Sequence, residues 1–370
     1  MSRVMRLLLL LVLLIASAAW WLWQDFTAQL HEALPITQKL RVEVPVGKSL
    51  GAFLASLHSE GVMTSTRQTF YLRVDARLMG KSTALKAGEY ELTPGMSAED
   101  VLLLLLSGRI LLHEQRITEG WTFAQLRAVT NQNPDLDHRL QGLSDEQVMA
   151  IIGEPALAAE GQFFPDTYLF PKGTTDEAFL RRAHAALKSV LMQEWDQRGA
   201  DLPLQTPDQA LILASLIEKE TAAPAERPEI AGVFLRRLQQ GIRLQTDPAV
   251  IYGLGAKYDG KLHRRDLDTD TPYNTYTRDG LPPTPICMPG RASIHAALHP
   301  AAGTALYFVA RGDGSHQFSD TLQEHDAAVR KFQLKKPVAP PAVKHPKKAH
   351  LKKHDKKHKK VHRKKPPEGS

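Results

Sequence analysis

The stretch that most constrains this chain runs from Gln209 to Leu238, QALILASLIEKETAAPAERPEIAGVFLRRL. Eight nearly all apolar residues, Ala210 to Ile217, are followed abruptly by Glu218, Lys219, Glu220 and Thr221. A run that apolar reads as a buried helix. Leu216 and Ile217 stand four and three residues before Glu220, and Leu213 a turn further back, so a helix puts all three on the face that Glu220 continues. A carboxylate there is costly unless it is paired, protonated or useful. The same surroundings raise a carboxyl pKa, which a general acid at neutral pH requires. The plainer alternative is the solvated end of a helix, polar where it leaves the core.

The 370 residues suffice for two or three domains and a sizeable core. Charge divides the chain: residues 335–370 carry a net +12 against +7 for the whole, leaving −5 on the first 334. That tail is Pro, Lys, Ala and His with little to bury and reads as disordered. It suits either solubility or attachment to an anionic surface. Cys287 is the only cysteine, which excludes an intramolecular disulfide and a thiolate-built metal site.

Arg3 and Arg6 precede seventeen uncharged residues, Leu7 to Trp23, with Trp20, Trp21 and Trp23 at the far end. Length, aromatic belt and basic flank fit a single-pass anchor with its N-terminus in the cytoplasm. A cleaved signal peptide, processed at Ala16-Ser17-Ala18, is the competing reading. The continuation of the apolar run through the tryptophans favours the anchor. Both place the rest of the chain outside the cytoplasm, where nucleic acid is not an expected partner.

Five regions follow: an anchor over 1–24, a stalk over 25–39, a small α+β module over 40–111, a larger mixed α+β domain over 112–334, and the basic tail over 335–370. In the module, strand Arg41–Val46, helices Leu50–Ser59 and Thr64–Leu78, strand Ala87–Leu92 and a helix from Ala98, capped by Ser97, follow one another. Its opening, Val42-x-Val44-Pro45-x-Gly47-x-Ser49-Leu50, resembles the LysM-type modules that bind glycan. In the larger domain Thr122 caps a helix to Thr130, Thr175–Arg198 and Glu229–Gln240 are helical, and residues 257–290 are rich in turns. So long a loop in a compact domain marks a binding or catalytic surface. The aromatics of Glu160–Phe170 suit either sugar stacking or a core edge.

The sequence holds no His-Glu-x-x-His, no Gly-x-Ser-x-Gly and no phosphate loop. His263, His295 and His299 suggest no ligand set, so no metal and no cofactor is expected. What remains is carboxylates among aromatics, amides and hydroxyls, the vocabulary of carbohydrate cleavage. Four segments in fixed order, EGQFFPDTYLFPKGT (160–174), ASLIEKET (214–221), RLQTDPAVIYGLG (243–255) and YNTYTRDGLPP (273–283), resemble the endolytic murein transglycosylases, the MltG/YceG-like family. The likeness covers roughly residues 40 to 333 and includes YFVARGDGSHQFS (307–319). It implies that Glu220, the second Glu of the E-K-E-T motif, is catalytic, and that Gln245, Thr246, Asp247, Tyr273, Asn274 and Tyr276 bind substrate. Glu218 is expected to pair with Arg236, Arg237 or another nearby base. Thr284, Cys287 and Met288 depart from the residues common in relatives.

The resemblance further implies a membrane-anchored lyase of the cell inner membrane, its catalytic domain periplasmic. It would cut nascent peptidoglycan between N-acetylmuramic acid and N-acetylglucosamine, leave 1,6-anhydro ends and so end strand elongation. Peptidoglycan strands and the membrane are the expected partners, with cell-wall synthases as further candidates. A non-catalytic glycan-binding scaffold for those synthases is the alternative.

Overall fold

Thr206 starts the central helix by accepting the Gln209 N–H on its hydroxyl at 3.3 Å, and Pro207 fills the first helical position, where no N–H is needed. The helix runs Pro207–Glu220, and Leu213, Leu216 and Ile217 are fully buried. It is the eighth of thirteen α-helices among the described residues, which in this computed structural model are 3–81, 83 and 85–334. The basic tail lies outside them.

Helix α1 (Arg3–His31) is followed by β1 (Leu40–Val44), α2 (Leu50–Ser59), α3 (Thr66–Leu78), β2 (Gly88–Leu92) and α4 (Ala98–Ser107). Strands β1 and β2 pair antiparallel, Val42 opposite Tyr90, and the helices bury Phe53, Leu54, Leu72 and Leu102 against them. Ser97 caps α4 in a reciprocal box with Asp100, and Gly108 ends it in the left-handed conformation at φ 66°.

Next come β3 (Leu112–Arg116), α5 (Phe123–Thr130), β4 (Leu136–Asp137), α6 (Asp145–Ile152), β5 (Thr167–Pro171), β6 (Thr174–Thr175) and α7 (Asp176–Asp196). Strand β3 pairs antiparallel with β5, and β4 briefly parallel with β6. After α8 (Pro207–Glu220) follow α9 (Arg227–Gln239), α10 (Asp247–Leu254), α11 (Arg264–Asp268), α12 (Arg291–Leu298), the hairpin β7 (Tyr307–Ala310) with β8 (His316–Ser319), and α13 (Leu322–Phe332). The chain is thus mixed α+β, with small separate sheets and no single large one among the described residues.

Beyond the module, the apolar interior forms two clusters that share one helix. Phe179 and Ala183 of α7 face one, built on Phe123, Phe163 and Phe170; Leu187 and Leu191 of α7 face the other, built on α8, α9 and α12. The Phe123 and Phe163 rings stack at 5.1 Å, so the aromatic segment after Glu160 is core and offers no sugar platform. The module meets this body through a charged junction. His113 on β3 contacts Glu89 of β2 at 2.7 Å and Asp135 at 2.8 Å, and Lys172 reaches Glu89 at 3.2 Å.

Residues 25–39 differ from the expected stalk. Helix α1 continues without a break to His31, and its last turns dock on α3. Asp25 takes Arg67 at 2.8 Å and the Tyr71 hydroxyl at 2.7 Å, the Gln29 carbonyl accepts from Gln68 at 3.1 Å, and Leu30 and Leu34 are buried in the module core. Phe26 and Leu30, one turn apart on α1, and Leu34 just past its end are the apolar side chains that the module covers. The upper part, exposed from Val4 to Trp23, is long and apolar enough to cross a membrane.

Truncating Leu216 tests how far the central helix rests on this packing. Leu216→Ala should cost about 2–5 kcal/mol of unfolding free energy in a denaturant titration. A cost below about 1 kcal/mol would show that the helix does not anchor the domain.

Candidate active site

Glu220 is the last residue of α8, and the chain leaves the helix through Thr221 in extended conformation, φ −142° and ψ 138°. The exit is tied down locally. The Thr221 hydroxyl accepts the Ala223 N–H at 3.0 Å and donates to Glu226 at 3.3 Å. Glu226 in turn accepts from the His316 backbone N–H at 2.8 Å and pairs with its ring at 2.7 Å. The Glu220 side chain is half-buried, and its carboxyl receives the Thr246 hydroxyl at 2.5 Å. Burial raises its pKa to about 7; the Thr246 hydrogen bond pulls the other way, and the neighbouring Asp247 charge adds to the rise.

The loop that presents Thr246 is held from two sides. Gln245 adopts φ 52°, an uncommon conformation for a residue with a side chain. Its N–H donates to the Thr275 carbonyl at 3.1 Å, and the Thr246 N–H to the Thr275 hydroxyl at 2.9 Å. From below, buried Arg237 donates to the carbonyls of Arg243 at 2.8 Å and Leu244 at 3.1 Å, to the Gln245 side chain at 3.2 Å and to the Leu306 carbonyl at 2.6 Å. Its guanidinium lies 4.8 Å from the Tyr307 ring centre. One side chain thereby fastens the loop to β7 and α9.

Of the other residues singled out in the sequence, exposed Asp247 opens α10 and accepts the Tyr276 hydroxyl at 2.6 Å. Asn274 is fully buried and works on the loop: its amide donates to the carbonyls of Asp266, Leu267 and Thr269, and its oxygen accepts the Tyr276 N–H at 2.9 Å. Tyr273 packs edge-on against Tyr252 at 4.8 Å and bonds Thr284 at 2.9 Å. The structure therefore brings Gln245, Thr246, Asp247 and Tyr276 to Glu220, and places Tyr273 and Asn274 in the scaffold behind. Thr284 serves that scaffold, and Cys287 and Met288 are fully buried, Cys287 with its thiol pKa pushed up by burial.

Glu220 lines two adjoining hollows. One, about 650 Å³, runs past Gln245, Asp247, Tyr276, Tyr307 and Arg264; the other, about 620 Å³, past Thr118, Gly120, Trp121, Gln125 and Thr221. The acid thus stands where the two halves of an open, largely polar groove meet. Trp121 and Tyr307 were not singled out as groove residues from the sequence, and Arg237 only as a base for Glu218. Trp121 had a signal, an aromatic beside the Glu119-Gly120 turn; Arg237 and Tyr307 had none, because 70 residues separate them.

Glu218 has a different task. Its carboxylate accepts the Gly290 N–H at 2.9 Å and the Ser293 hydroxyl at 2.7 Å, fixing the start of α12, and pairs with Arg227 at 3.5 Å. The nearby base is therefore Arg227; Arg236 binds the Ala305 carbonyl instead. Glu160, buried behind the site with its pKa raised by burial to about 7, accepts the Phe123 N–H at 3.0 Å and the Tyr252 hydroxyl at 3.1 Å. It links the start of α5 to α10. His295 in the last turn of α12 and His299 just past its end, read from the sequence as no ligand set, stand together with Glu194 beside them.

One carboxyl group, its pKa raised to about 7, lines both hollows of an open polar groove, an arrangement suited to general-acid chemistry. The chain belongs to the YceG-like family, whose sequence profile matches residues 42–331. It is 30% identical over 310 residues to the endolytic murein transglycosylase of Bacillus subtilis (strain 168), covering 79% of this chain and 84% of that one. It is also 30% identical over 286 residues to the endolytic murein transglycosylase of Streptococcus pneumoniae (strain D39), covering 67% of this chain and 50% of that protein. A crystal structure of a YceG-like protein from Listeria monocytogenes aligns over 78% of this chain and 98% of its own, at 28% identity and a TM-score of 0.46.

The raised pKa has a thermodynamic signature. A folded-state value near 7 against an ordinary 4.5 means that the wild type loses stability as pH rises from about 4.5 through 7. Glu220→Gln removes that titration, so its melting temperature should gain on the wild type between pH 5 and pH 8. A difference that stays constant over this range would show that Glu220 titrates normally. Thr246→Val removes the bond that lowers the pKa, so the wild-type transition should move to higher pH.

Proposed function

We propose that this protein is a membrane-anchored lytic transglycosylase that cuts nascent peptidoglycan strands between N-acetylmuramic acid and N-acetylglucosamine and so ends their elongation. The reading rests above all on Glu220, with its pKa near 7, standing where the two hollows meet. A hollow on either side of the acid suits a cut inside a strand. The murein-cleaving names of the two relatives agree with it.

Protonated Glu220 gives its proton to the glycosidic oxygen as the bond from C1 of the muramic residue breaks. The carboxylate left behind takes the proton of the C6 hydroxyl as that oxygen closes onto C1, leaving a 1,6-anhydro end and Glu220 protonated again. The nucleophile belongs to the substrate, so its proximity supplies much of the rate and no second protein carboxylate is required. Thr246 orients the acid, and Gln245, Asp247 and Tyr276 are placed to bind sugar hydroxyls. Tyr273 and Asn274 support the loop that carries Tyr276 and act on substrate only through it. Trp121 offers the second hollow an aromatic face for a sugar ring.

In the same reading α1 is the inner-membrane anchor, with the body of the protein in the periplasm. The module over 40–111 is a LysM-like unit that guides glycan to the groove, cell-wall synthases are candidate partners, and the basic tail attaches to an anionic surface. The alternative, a glycan-binding scaffold without catalysis, needs no acid in the groove.

Incubating purified peptidoglycan with the wild type should yield 1,6-anhydro ends by mass spectrometry, with kcat/KM falling as pH rises through about 7. Glu220→Gln should yield none, and equal product from both would remove Glu220 from its role. Reducing ends instead would mean hydrolysis. Glu218→Gln should retain the product but lose about 1–3 kcal/mol of stability, the cost of weakening a buried hydrogen-bonded carboxylate.

A further inference from the structure

Helix α12 has two working faces. Ser293 turns toward α8 and Glu218, whereas Arg291 and His295, one turn apart, face α7, and His299, the residue that caps the helix, adds its ring to theirs. Opposite them, third from the end of α7, is Glu194, whose side chain is only 7% exposed. Its Oε1 accepts from Arg291 at 2.7 Å, and its Oε2 lies 2.8 Å from His295 Nδ1. His299 stacks on His295 with ring centres 4.3 Å apart. One ligand atom from each of Glu194, His295 and His299 can be chosen so that all three lie within 4.8 Å of one another.

An ion pair accounts for Arg291 and His295 beside a buried carboxylate. It leaves His299 unexplained, a second imidazole brought against the first where the two would repel if both were charged. We propose that Glu194, His295 and His299 form a binding site for a divalent transition metal of the zinc type, joining α7 to α12.

The donor set fits that class. Two imidazoles and one carboxylate suit zinc, whereas calcium and magnesium prefer oxygen ligands. His295 sits in the last turn of α12 and His299 caps its end in a non-helical conformation, and the two rings stack on the side of Glu194. Tetrahedral ligands at zinc bond lengths are about 3.4 Å apart. The His295–Glu194 pair must therefore open slightly and His299 close in, within reach of rotation of a half-exposed ring. Arg291 on Oε1 leaves Oε2 for the metal and holds the carboxylate in place, as outer partners of metal ligands commonly do. The backbones are already fixed, since the Gly199 N–H, just past α7, donates to the Leu298 carbonyl at 2.9 Å. Three protein ligands leave a fourth position for water.

The test uses the full chain in detergent, stripped with a chelator. His345, His350, His354, His358 and His362 are replaced by alanine throughout, so that zinc held by the tail is not counted. Zinc titrated into this protein by calorimetry should bind at one equivalent and raise the melting temperature, and cobalt should give the visible absorption of a tetrahedral site. His299→Ala and Glu194→Gln should each weaken zinc binding at least about tenfold, with the metal-free melting temperature of His299→Ala unchanged. Should Glu194→Gln fail to fold, His299→Ala decides, because that ring is half-exposed and supports no core. Absence of zinc binding, or a titration that His299→Ala leaves unaltered, would overturn the site.

Discussion

The arrangement depends on one costly placement, a carboxyl group at the end of a helix whose buried face is largely apolar. Leu213, Leu216 and Ile217 exclude water from the root of Glu220, and that exclusion, more than any neighbouring charge, moves its pKa toward neutrality. The placement is tolerable because the group can hold its proton and because Thr246 satisfies it. Two residues earlier in the same helix, Glu218 solves the same problem differently, with a backbone N–H, a hydroxyl and a guanidinium. Identical side chains two positions apart become a proton donor and a helix anchor because their partners differ.

Around that acid the chain uses backbone as much as side chains. Arg237 directs its donors to the carbonyls of Arg243, Leu244 and Leu306, and Asn274 does the same for the 266–269 turn. Long loops that would otherwise sample many conformations are thereby held in one, and a polar groove can be built mostly from loop without a large sheet beneath it. Glu160 and Tyr252 extend the support to α5, so the two apolar clusters meet behind the site through a hydrogen-bonded pair as well as through α7.

Most regular elements were legible in the sequence because caps and periods agree. Ser97, Thr122, Thr175 and Thr206 each start a helix with a side-chain bond. The helix Asp247–Leu254 begins without such a bond, because the Thr246 hydroxyl is turned to Glu220. Of the site, the motifs carried Glu220 and its immediate neighbours. They could not separate the groove residues from Tyr273 and Asn274, because a run such as Tyr273-Asn274-Thr275-Tyr276 does not reveal which side chains turn inward. Arg237 beside Tyr307, and Glu194 beside His295, are brought together by folding across long spans and leave no local pattern. The expected stalk failed for a simpler reason: Asp25 and Gln29 look like solvated residues until α3 supplies their partners.

The unbroken passage of α1 into the module core has a mechanical result. A flexible connector would absorb an extra residue, whereas a continuous helix converts it into about 100° of rotation and 1.5 Å of advance. The tryptophans at 20, 21 and 23 are therefore locked in angular phase with Asp25, Gln29 and Leu30 on the docked face. Whatever grips the apolar segment also sets the compass bearing of the module.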